Sequence, residues 1–322
     1  MQVIDDTQKY REHVRQTDSL PIFFYDWWLD AVAGEKGWMG LLLVEDKKVI
    51  ALWPLARKKK WGFWKIVMPP TTPYMGCFCE LPLRQNTYAA LSLEFRILNT
   101  LIDALPYFDD YHQTFYPLPI NWQPFYWKGF RQTTRYTYCL SLEPSLEDIF
   151  AQFRPQTRTH IRKAKNSYVI VTDLDPALFY ALNEKTFARQ NIPIPYSYSF
   201  FINKDKILLE KQRRKIFFAL NQQEQIVAAL YLIWDKFTAY LHLMGSDSEH
   251  RGSDVGNLLV WEAICFAKRL ELKSFDFEGS MLQPICTFFR SFGAMPVPYH
   301  QITKVRRWPL KIWYFSKELL GV

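Results

Sequence analysis

Two blocks of the chain share the same alternation of apolar and polar positions. In the first block, residues 38–45 and 48–57 are apolar runs separated by a short polar turn, and residues 61–68 form a third apolar run. Runs of this kind predict a β-hairpin followed by a third strand. Apolar residues then recur at helical spacing over residues 86–105, so this segment is predicted to be a helix that ends before Pro106.

The second block repeats this order in the other half of the chain. Residues 215–220 and 226–234 are apolar runs around a polar turn, residues 238–244 form a third strand, and residues 257–270 are predicted to be a helix. A repeat of this length is too long for a solenoid. The pattern therefore predicts two copies of one α/β domain with a mixed α+β sheet, and a boundary near residue 143.

Shorter elements are predicted around the two blocks. The predicted strands are residues 111–116, 133–142, 168–172 and 300–305, and the predicted helices are residues 21–33, 176–190, 197–213 and 309–320, with two more helices that begin at Ser145 and Pro155.

Two segments of the first half are rich in proline and aromatic residues, namely residues 68–76 and 117–130. Several prolines forbid a helix or a central strand, so both are predicted to be ordered loops. Tyr74, Trp122 and Tyr126 are candidates for stacking on the sugar or acyl group of a substrate. The alternative is that these aromatic side chains pack between domains.

The composition predicts a folded protein with a basic surface. Apolar residues make up 49% of the chain, which excludes a disordered protein, and the net charge of +8 favours an anionic partner. The five cysteines are odd in number and scattered, so we expect neither a disulfide framework nor a metal site. The amino terminus has no signal-peptide core and no apolar run is long enough to span a bilayer. We therefore expect a cytoplasmic protein, with a peripheral membrane contact left open.

A basic helix is predicted after Pro155. Arg158 and Arg162 lie along one side of it, together with Arg154 and Lys165. This side is suited to a tRNA acceptor end, a CoA phosphate or a diphosphate-linked envelope precursor. The ordinary alternative is a solvated helix face.

The clearest candidate chemistry lies at residues 273–278. Side chains alternate along a strand, so Asp276 and Glu278 are predicted to share one face while Phe275 and Phe277 take the other. Two carboxylates at the end of a buried strand are costly unless something uses or satisfies them. Either they take part in catalysis, or they cap the strand end beside Gly279.

The segment before helix 257–270 is a candidate anion site. A loop that opens a helix presents free backbone N–H groups and a partial positive charge. Arg251, Gly252, Gly256 and Asn257 are the residues that we expect to contact a phosphorylated donor. Glycines in a strand-to-helix loop are common, so an ordinary loop is the alternative.

Several linked motifs resemble the FemABX-type peptidyl and acyl transferases, a branch of the GNAT superfamily that includes BioF2-like acetyltransferase domains. The matching segments are the Arg251 to Gly256 loop, residues 261–264, Phe275 to Gly279, residues 288–294, residues 153–166, and the two proline-rich loops. This resemblance implies two tandem GNAT-like domains. Residues 1–143 would form a degenerate domain on the acceptor side, residues 144–305 the donor domain, and residues 306–322 an amphipathic helix that packs back on the body.

The same resemblance implies an activity. The acyl donor would lie between strands 238–244 and 273–278, and an amine would attack it directly, without a metal ion or a covalent enzyme intermediate. His242 is a plausible proton acceptor, Tyr240 lies on the same strand face, and Asp276 or Glu278 would orient His242 or act as the base. A hydrogen-bonded, half-buried strand residue is the alternative for His242.

The identity of the substrates stays open from the sequence. The donor class is acyl-CoA, an acyl carrier protein or aminoacyl-tRNA, because Arg251 to Asn257 is longer and less glycine-rich than a typical acetyl-CoA loop. The resemblance implies a small-molecule or cell-envelope precursor as the amine acceptor. The other hypothesis is a non-catalytic binding protein that retains the GNAT-like fold.

The last predicted helix is amphipathic. Trp308, Ile312, Phe315 and Leu319 form one stripe, with basic residues nearby. This helix either docks on the body of the protein or lies on an anionic membrane.

Overall fold

The computed structural model describes residues 1–80, 87–118, 120–189, 191–247 and 254–319. The chain divides into two compact units. The first unit comprises Met1–Asp18, Phe23–Arg135 and Pro298–Val322, and the second comprises Ser19–Ile22 and Tyr136–Val297.

The first half of the chain contains seven strands and four α-helices among its described residues. The strands are β1 (Gln2–Asp5), β2 (Trp38–Glu45), β3 (Lys48–Lys60), β4 (Phe63–Val67), β5 (Phe78–Cys79), β6 (Asp110–Thr114) and β7 (Arg131–Ser141). The helices are α1 (Thr7–Gln16), α2 (Asp26–Ala33), α3 (Tyr88–Asp103) and α4 (Gln123–Trp127), and a single 3-10 turn covers Ile22–Phe24.

The second half continues the series. The helices are α5 (Leu146–Gln152), α6 (Pro155–Lys165), α7 (Pro176–Ala188), α8 (Tyr198–Glu210), α9 (Val255–Arg269), α10 (Gln283–Arg290) and α11 (Trp308–Leu319). The strands are β8 (Val169–Thr172), β9 (Arg214–Leu220), β10 (Ile226–Trp234), β11 (Thr238–Ser246), β12 (Ser274–Asp276) and β13 (Met295–Val305).

The two units share one strand topology. In the first unit the order is β1-β2-β3-β4-β6-β13, with β5 added to β3, and in the second it is β8-β9-β10-β11-β12-β7. In both units the neighbours pair antiparallel except for one parallel pair, which is β4 with β6 and β11 with β12. This repeated arrangement confirms the predicted mixed α/β fold with two copies of one topology.

A long helix buries its apolar side in the core of each unit. Ile97, Leu98 and Leu101 of α3 are buried in the core of the first unit. Leu258 and Ile264 of α9 are likewise buried in the core of the second unit. Burial of one such side chain contributes roughly 1.5–3 kcal/mol relative to its exposure. The helical spacing of these residues is why both helices were predictable.

Three local predictions differ from the structure. Residues 117–130 were expected to be a loop but contain α4, since Pro124 lies in the first helical turn, where proline is tolerated. The predicted helix 21–33 becomes the 3-10 turn followed by α2. The strand predicted for residues 273–278 ends at Asp276.

The division between the units lies within β7, between Arg135 and Tyr136, whereas the sequence placed the boundary near residue 143. Residues 298–305 of β13 belong to the first unit, although the sequence assigned them to the second domain. In the part of the chain that is described, no helix is both long enough and apolar enough to cross a membrane.

Candidate active site

The parallel pair of the second unit opens at one end. β11 and β12 pair at Thr238 with Ser274, at Ala239 with Phe275 and at Tyr240 with Asp276, and the pairing then stops. β11 continues to Ser246. The chain after β12 stays beside β7, where the amide of Phe277 donates to the carbonyl of Tyr138 (2.9 Å), and then enters a left-handed turn at Glu278 and Gly279. Beyond Tyr240, the side of β11 that faced β12 is therefore no longer paired with it.

His242 lies where this opening begins. Leu241 pairs with Leu232 of β10 and Leu243 pairs with Tyr231, so His242 is an extra residue in β11, a β-bulge. A bulge interrupts the alternation of side chains and re-aims the extra one. Consequently His242 does not simply share a face with Tyr240, as an unbroken strand would require.

Three polar side chains form a hydrogen-bonded line across the opening, and we call it the Lys204–His242–Glu278 line. Lys204 Nζ lies 2.8 Å from His242 Nε2, and His242 Nδ1 lies 2.8 Å from Glu278 Oε1. The side chains of Lys204 and His242 are fully buried, whereas that of Glu278 keeps 12% of its surface exposed. Glu278 is thus the member of the line that can meet a substrate.

Burial sets the protonation of this line. It lowers the pKa of Lys204 to about 7, although the carboxylates of Glu278 and Asp205 oppose the shift. Burial, with the nearby Lys204 charge, holds the pKa of His242 well below its usual range, so its imidazole is neutral. Burial, with the nearby Asp276 charge, raises the pKa of Glu278 well above its usual range. A carboxyl group with a raised pKa is a better proton acceptor when it is ionised.

When Lys204 is protonated and Glu278 is ionised, the hydrogen bonds assign the tautomer of His242. A protonated Lys204 only donates, so His242 Nε2 accepts and the ring proton is on Nδ1. Nδ1–H then donates to the ionised carboxylate of Glu278. In this state the neutral imidazole of His242 connects the ammonium group of Lys204 to the partly exposed carboxylate of Glu278 by hydrogen bonds.

A left-handed turn aims Glu278. Glu278 has φ of 54° and Gly279 has φ of 68°, a conformation that is costly for residues other than glycine. A Cβ at Gly279 would lie 2.5 Å from the carbonyl oxygen of Tyr136, so glycine is required there. Strain of this kind is common at functional sites.

Asp276 has a different role from the one expected. It is buried, its carboxylate accepts a hydrogen bond from the hydroxyl of Thr137, and it accepts another from the amide of Glu278 (2.8 Å). Asp276 and Glu278 therefore do not form a pair on one strand face, because the strand ends between them. Asp276 fixes the turn and acts on Glu278 as a positioning residue.

Tyr240 was expected to contact the substrate, but it is fully buried. Its hydroxyl donates to Asp235 (2.7 Å), a buried carboxylate that also accepts from the amides of Phe237 and Thr238 (2.8 Å each). These bonds give Tyr240 a structural role.

The candidate anion site is described only in part. Arg251 and Gly252 lie outside the described residues, whereas Gly256 and Asn257 are half-buried in the first turn of α9. Among the described residues, a Cβ at Gly256 would meet only Met244 Cε, at 3.9 Å, so packing against this part of the chain does not require the glycine.

The basic helix packs beside this point. His160 of α6 lies 3.4 Å from the carboxylate of Asp254, which precedes the first turn of α9. Arg158 is half-buried and donates to the carbonyl of Ala151 (2.7 Å). Arg162 is exposed and lies over the ring of Phe150, 5.4 Å from its centroid.

The three aromatic candidates belong to the first unit and differ in exposure. Tyr74 is fully buried among Phe23, Tyr116 and Tyr299, so its ring is part of the core and offers no stacking surface. Trp122 is half-buried, and Tyr126, at 61% exposure, is accessible to a ligand.

Lys204 is the site residue that sequence reasoning missed. It lies on α8 between Phe201 and Leu208, at the spacing of the buried side of that helix. A lysine on the apolar stripe of a helix was the available signal, because lysine is almost never fully buried without a partner. Among the described residues, no group of three or more His, Cys, Asp or Glu side chains could hold a metal ion.

Comparison with known proteins agrees with this topology. Residues 151–281 match the family model described as "Acetyltransferase (GNAT) domain". A search of curated proteins found no significant match. Among solved structures, FemX is similar over 93% of this chain and 97% of its own, with a TM-score of 0.68 and 13% identity.

Two further structures resemble the whole chain. A tandem GNAT protein from the clavulanic acid biosynthesis pathway has 13% identity and a TM-score of 0.52, and the match covers 94% of this chain and 97% of the other. The C-terminal domain of a provisionally assigned lysylphosphatidylglycerol synthetase from Agrobacterium fabrum has 11% identity and a TM-score of 0.52, with 98% and 96% covered. At these identities the structural likeness establishes the fold.

Residues 151–281 contain the Lys204–His242–Glu278 line, so the family match and the site coincide in the second unit. Residues 151–281 of the second unit match a GNAT acetyltransferase domain, and the chain as a whole shares the fold of FemX and of the tandem GNAT protein.

Proposed function

We propose that this protein transfers an acyl or aminoacyl group from an activated donor to an amine, with Glu278 as the base. The observation that carries the proposal is the Lys204–His242–Glu278 line at the opening between β11 and β12. A buried lysine and histidine behind a partly exposed carboxylate have no evident purpose in a purely structural turn, because burial disfavours their charged forms.

The proposed chemistry is direct attack. The acceptor nitrogen forms a bond to the carbonyl carbon of the donor while its surplus proton moves to the carboxylate of Glu278. The bond from that carbon to the sulfur of CoA, or to the ribose oxygen of a tRNA, then breaks. The leaving group takes the proton from Glu278, or takes one from solvent while Glu278 releases its own to solvent; either route returns the carboxylate to its starting state.

His242 and Lys204 act through Glu278. The Nδ1–H of His242 holds the carboxylate in one orientation, and the charge of Lys204 stabilises its ionised form. Neither side chain has solvent-exposed surface, so neither is expected to touch the substrate. Both are positioning residues.

The donor carrier is proposed to bind at the start of α9 beside the basic side of α6. A helix start together with Arg158, Arg162 and the sequence-predicted Arg251 suits a phosphate-bearing carrier, either CoA or a tRNA. The acceptor is proposed to be the amine of a cell-envelope precursor or a related small molecule. The likeness to FemX and to the provisionally assigned lysylphosphatidylglycerol synthetase supports this choice.

The proposal is tested by incubating the full chain with a panel of acyl-CoAs and with charged tRNA, in the presence of candidate amine acceptors. We expect one donor class to give a new amide or peptide product, seen by mass spectrometry. Free thiol marks the CoA arm and uncharged tRNA marks the other. If no donor from either arm yields product or raises the melting temperature, the proposed function is wrong.

Donor binding is tested separately with Arg158→Ala/Arg162→Ala. A tRNA carrier predicts weaker and less salt-sensitive binding in this variant, because each neutralised phosphate contact lowers the salt dependence. Lys206→Ala/Lys211→Ala is the matched control, since both lysines are exposed in the same unit. Equal binding of the donor by both variants would show that α6 does not take part in donor binding.

A further inference from the structure

The exposed side of α11 is its apolar side. Trp308, Ile312 and Phe315 are 71%, 57% and 63% exposed, and their spacing places them on one stripe of the helix. The helix contacts its own unit through other residues, since Leu310 is buried and the hydroxyl of Tyr314 donates to Asp110 (2.6 Å). The stripe that the sequence identified is therefore turned away from the body of the first unit.

The turn between β3 and β4 lies beside this helix. Trp61 is 66% exposed at the tip of the turn, and its ring meets the ring of Trp313 of α11 at 6.1 Å between centroids. Lys60 lies over the Trp61 ring at 4.5 Å, and Lys58 and Lys59 are exposed along β3. The turn thus brings an exposed indole and three lysines next to the apolar stripe.

The charge around these aromatic groups is one-sided among the described side chains. Arg306, which lies just before α11, and Lys311 of the helix itself are both exposed. The neighbouring carboxylates are already neutralised, since Asp109 pairs with Arg307 (2.9 Å) and Asp110 pairs with Lys65 (2.9 Å). What remains is a set of exposed cations surrounding exposed aromatic rings.

We propose that the β3–β4 turn and the exposed stripe of α11 form a docking surface for an anionic phospholipid bilayer. Large exposed apolar patches mark interaction sites, and aromatic residues mixed with lysine and arginine suit the boundary between lipid headgroups and acyl chains. The positive charge fits an anionic surface and disfavours a second copy of this chain, because two such faces would repel each other. The surface is in the first unit and does not depend on the proposed acyl transfer.

The experiment is co-sedimentation of the full chain with vesicles. We expect binding to vesicles of equal parts phosphatidylcholine and phosphatidylglycerol, little binding to phosphatidylcholine alone, and release by added salt. Trp308→Ala/Phe315→Ala should weaken binding at least tenfold. Lys58→Glu/Lys59→Glu should weaken it as well, and these exposed positions leave the fold intact, as circular dichroism would verify.

The matched control is Tyr88→Ala/Trp127→Ala, because these side chains are 89% and 58% exposed elsewhere in the same unit. It should bind vesicles like the wild type. Equal binding by the wild type and the α11 variant, or no binding to anionic vesicles, would overturn the proposal. So would a concentration-dependent dimer that Phe315→Asp abolishes, because the stripe would then be an interface between copies. Any of these results leaves the acyl-transfer proposal untouched.

Discussion

The two parallel strand pairs of this protein have the same topology and different contents. In the first unit, β4 and β6 pair at Lys65 with Asp110 and at Ile66 with Tyr111 before they separate. In the second, β11 and β12 pair at three positions before they separate. Each pair thus creates an opening at the same place in the fold.

The chain itself occupies the first opening. The segment after β4 runs between the separating strands, with Met75 bridged to Phe115 and the hydroxyl of Thr114 donating to the carbonyl of Pro73 (2.5 Å). The amide of Thr114 also points at the sulfur of Met68 (3.3 Å). In the second unit the corresponding opening holds the Lys204–His242–Glu278 line. The first opening is filled by packed chain, whereas the second contains hydrogen-bonded polar side chains. This difference supports placing the chemistry in the second unit.

The largest expected effect is at Glu278. Glu278→Gln keeps the size of the side chain but removes the base, so transfer should fall about a thousandfold. The measurement is the steady-state rate with the donor that the panel experiment identifies. Glu271→Gln is the matched control, since Glu271 also has a left-handed backbone (φ 58°) but is exposed. Near wild-type activity in Glu278→Gln would show that the opening of the second unit holds no catalytic base. That result would favour a non-catalytic binding protein.

The second effect is a displaced pH profile. The charge of Lys204 lowers the pKa of Glu278 against the effect of burial, so Lys204→Met should raise that pKa further. The midpoint of the pH–rate profile should then lie about one pH unit higher than in the wild type. Near neutral pH the rate should be about tenfold lower. Lys206→Met, on the exposed side of the same helix, should change neither. A lower rate with an unshifted profile would mean that Lys204 only supports the fold.

The third effect is on stability. The pKa of Lys204 falls from 10.5 in the unfolded chain to about 7 in the folded one, so between these pH values the unfolded state binds the extra proton. Stability should therefore rise with pH across this window, by at most about 1.4 kcal/mol per pH unit from this group, and be lost as pH falls toward 7. Urea unfolding of the wild type and Lys204→Met at several pH values measures the difference, and parallel curves would contradict it.

The smallest effect belongs to the first unit. Thr114→Val removes the hydrogen bond to Pro73 and should lower the free energy of unfolding by about 1 kcal/mol. Transfer activity per folded molecule should stay unchanged, because this opening is filled by the chain. Thr114→Ser keeps the hydroxyl and should restore most of the stability. A loss of activity without a loss of stability would show that the first opening also serves the reaction.

Much of the fold was predictable because its signals are local. The hairpins, the helices α3 and α9 and the repeated order all follow from apolar spacing along the chain. His242 and Glu278 were identifiable as polar residues on apolar strands. Their pairing was not, because it depends on a bulge and on a left-handed turn that arise from tertiary packing. Lys204 lies on a helix far from both in sequence, so only the folded chain reveals the contact.

The exchange of strands between the two halves of the sequence has a consequence for biosynthesis. β7 comes from the first half, yet its residues 139–141 pair with β12 of the second unit, and β13 from the second half pairs with β6 of the first unit. The amino-terminal half therefore leaves the ribosome with β6 unpaired on that side until β13 is made. An unpaired strand edge invites aggregation. Folding of the first unit should therefore finish only after β13 has been synthesised, and neither half should be stable when expressed alone.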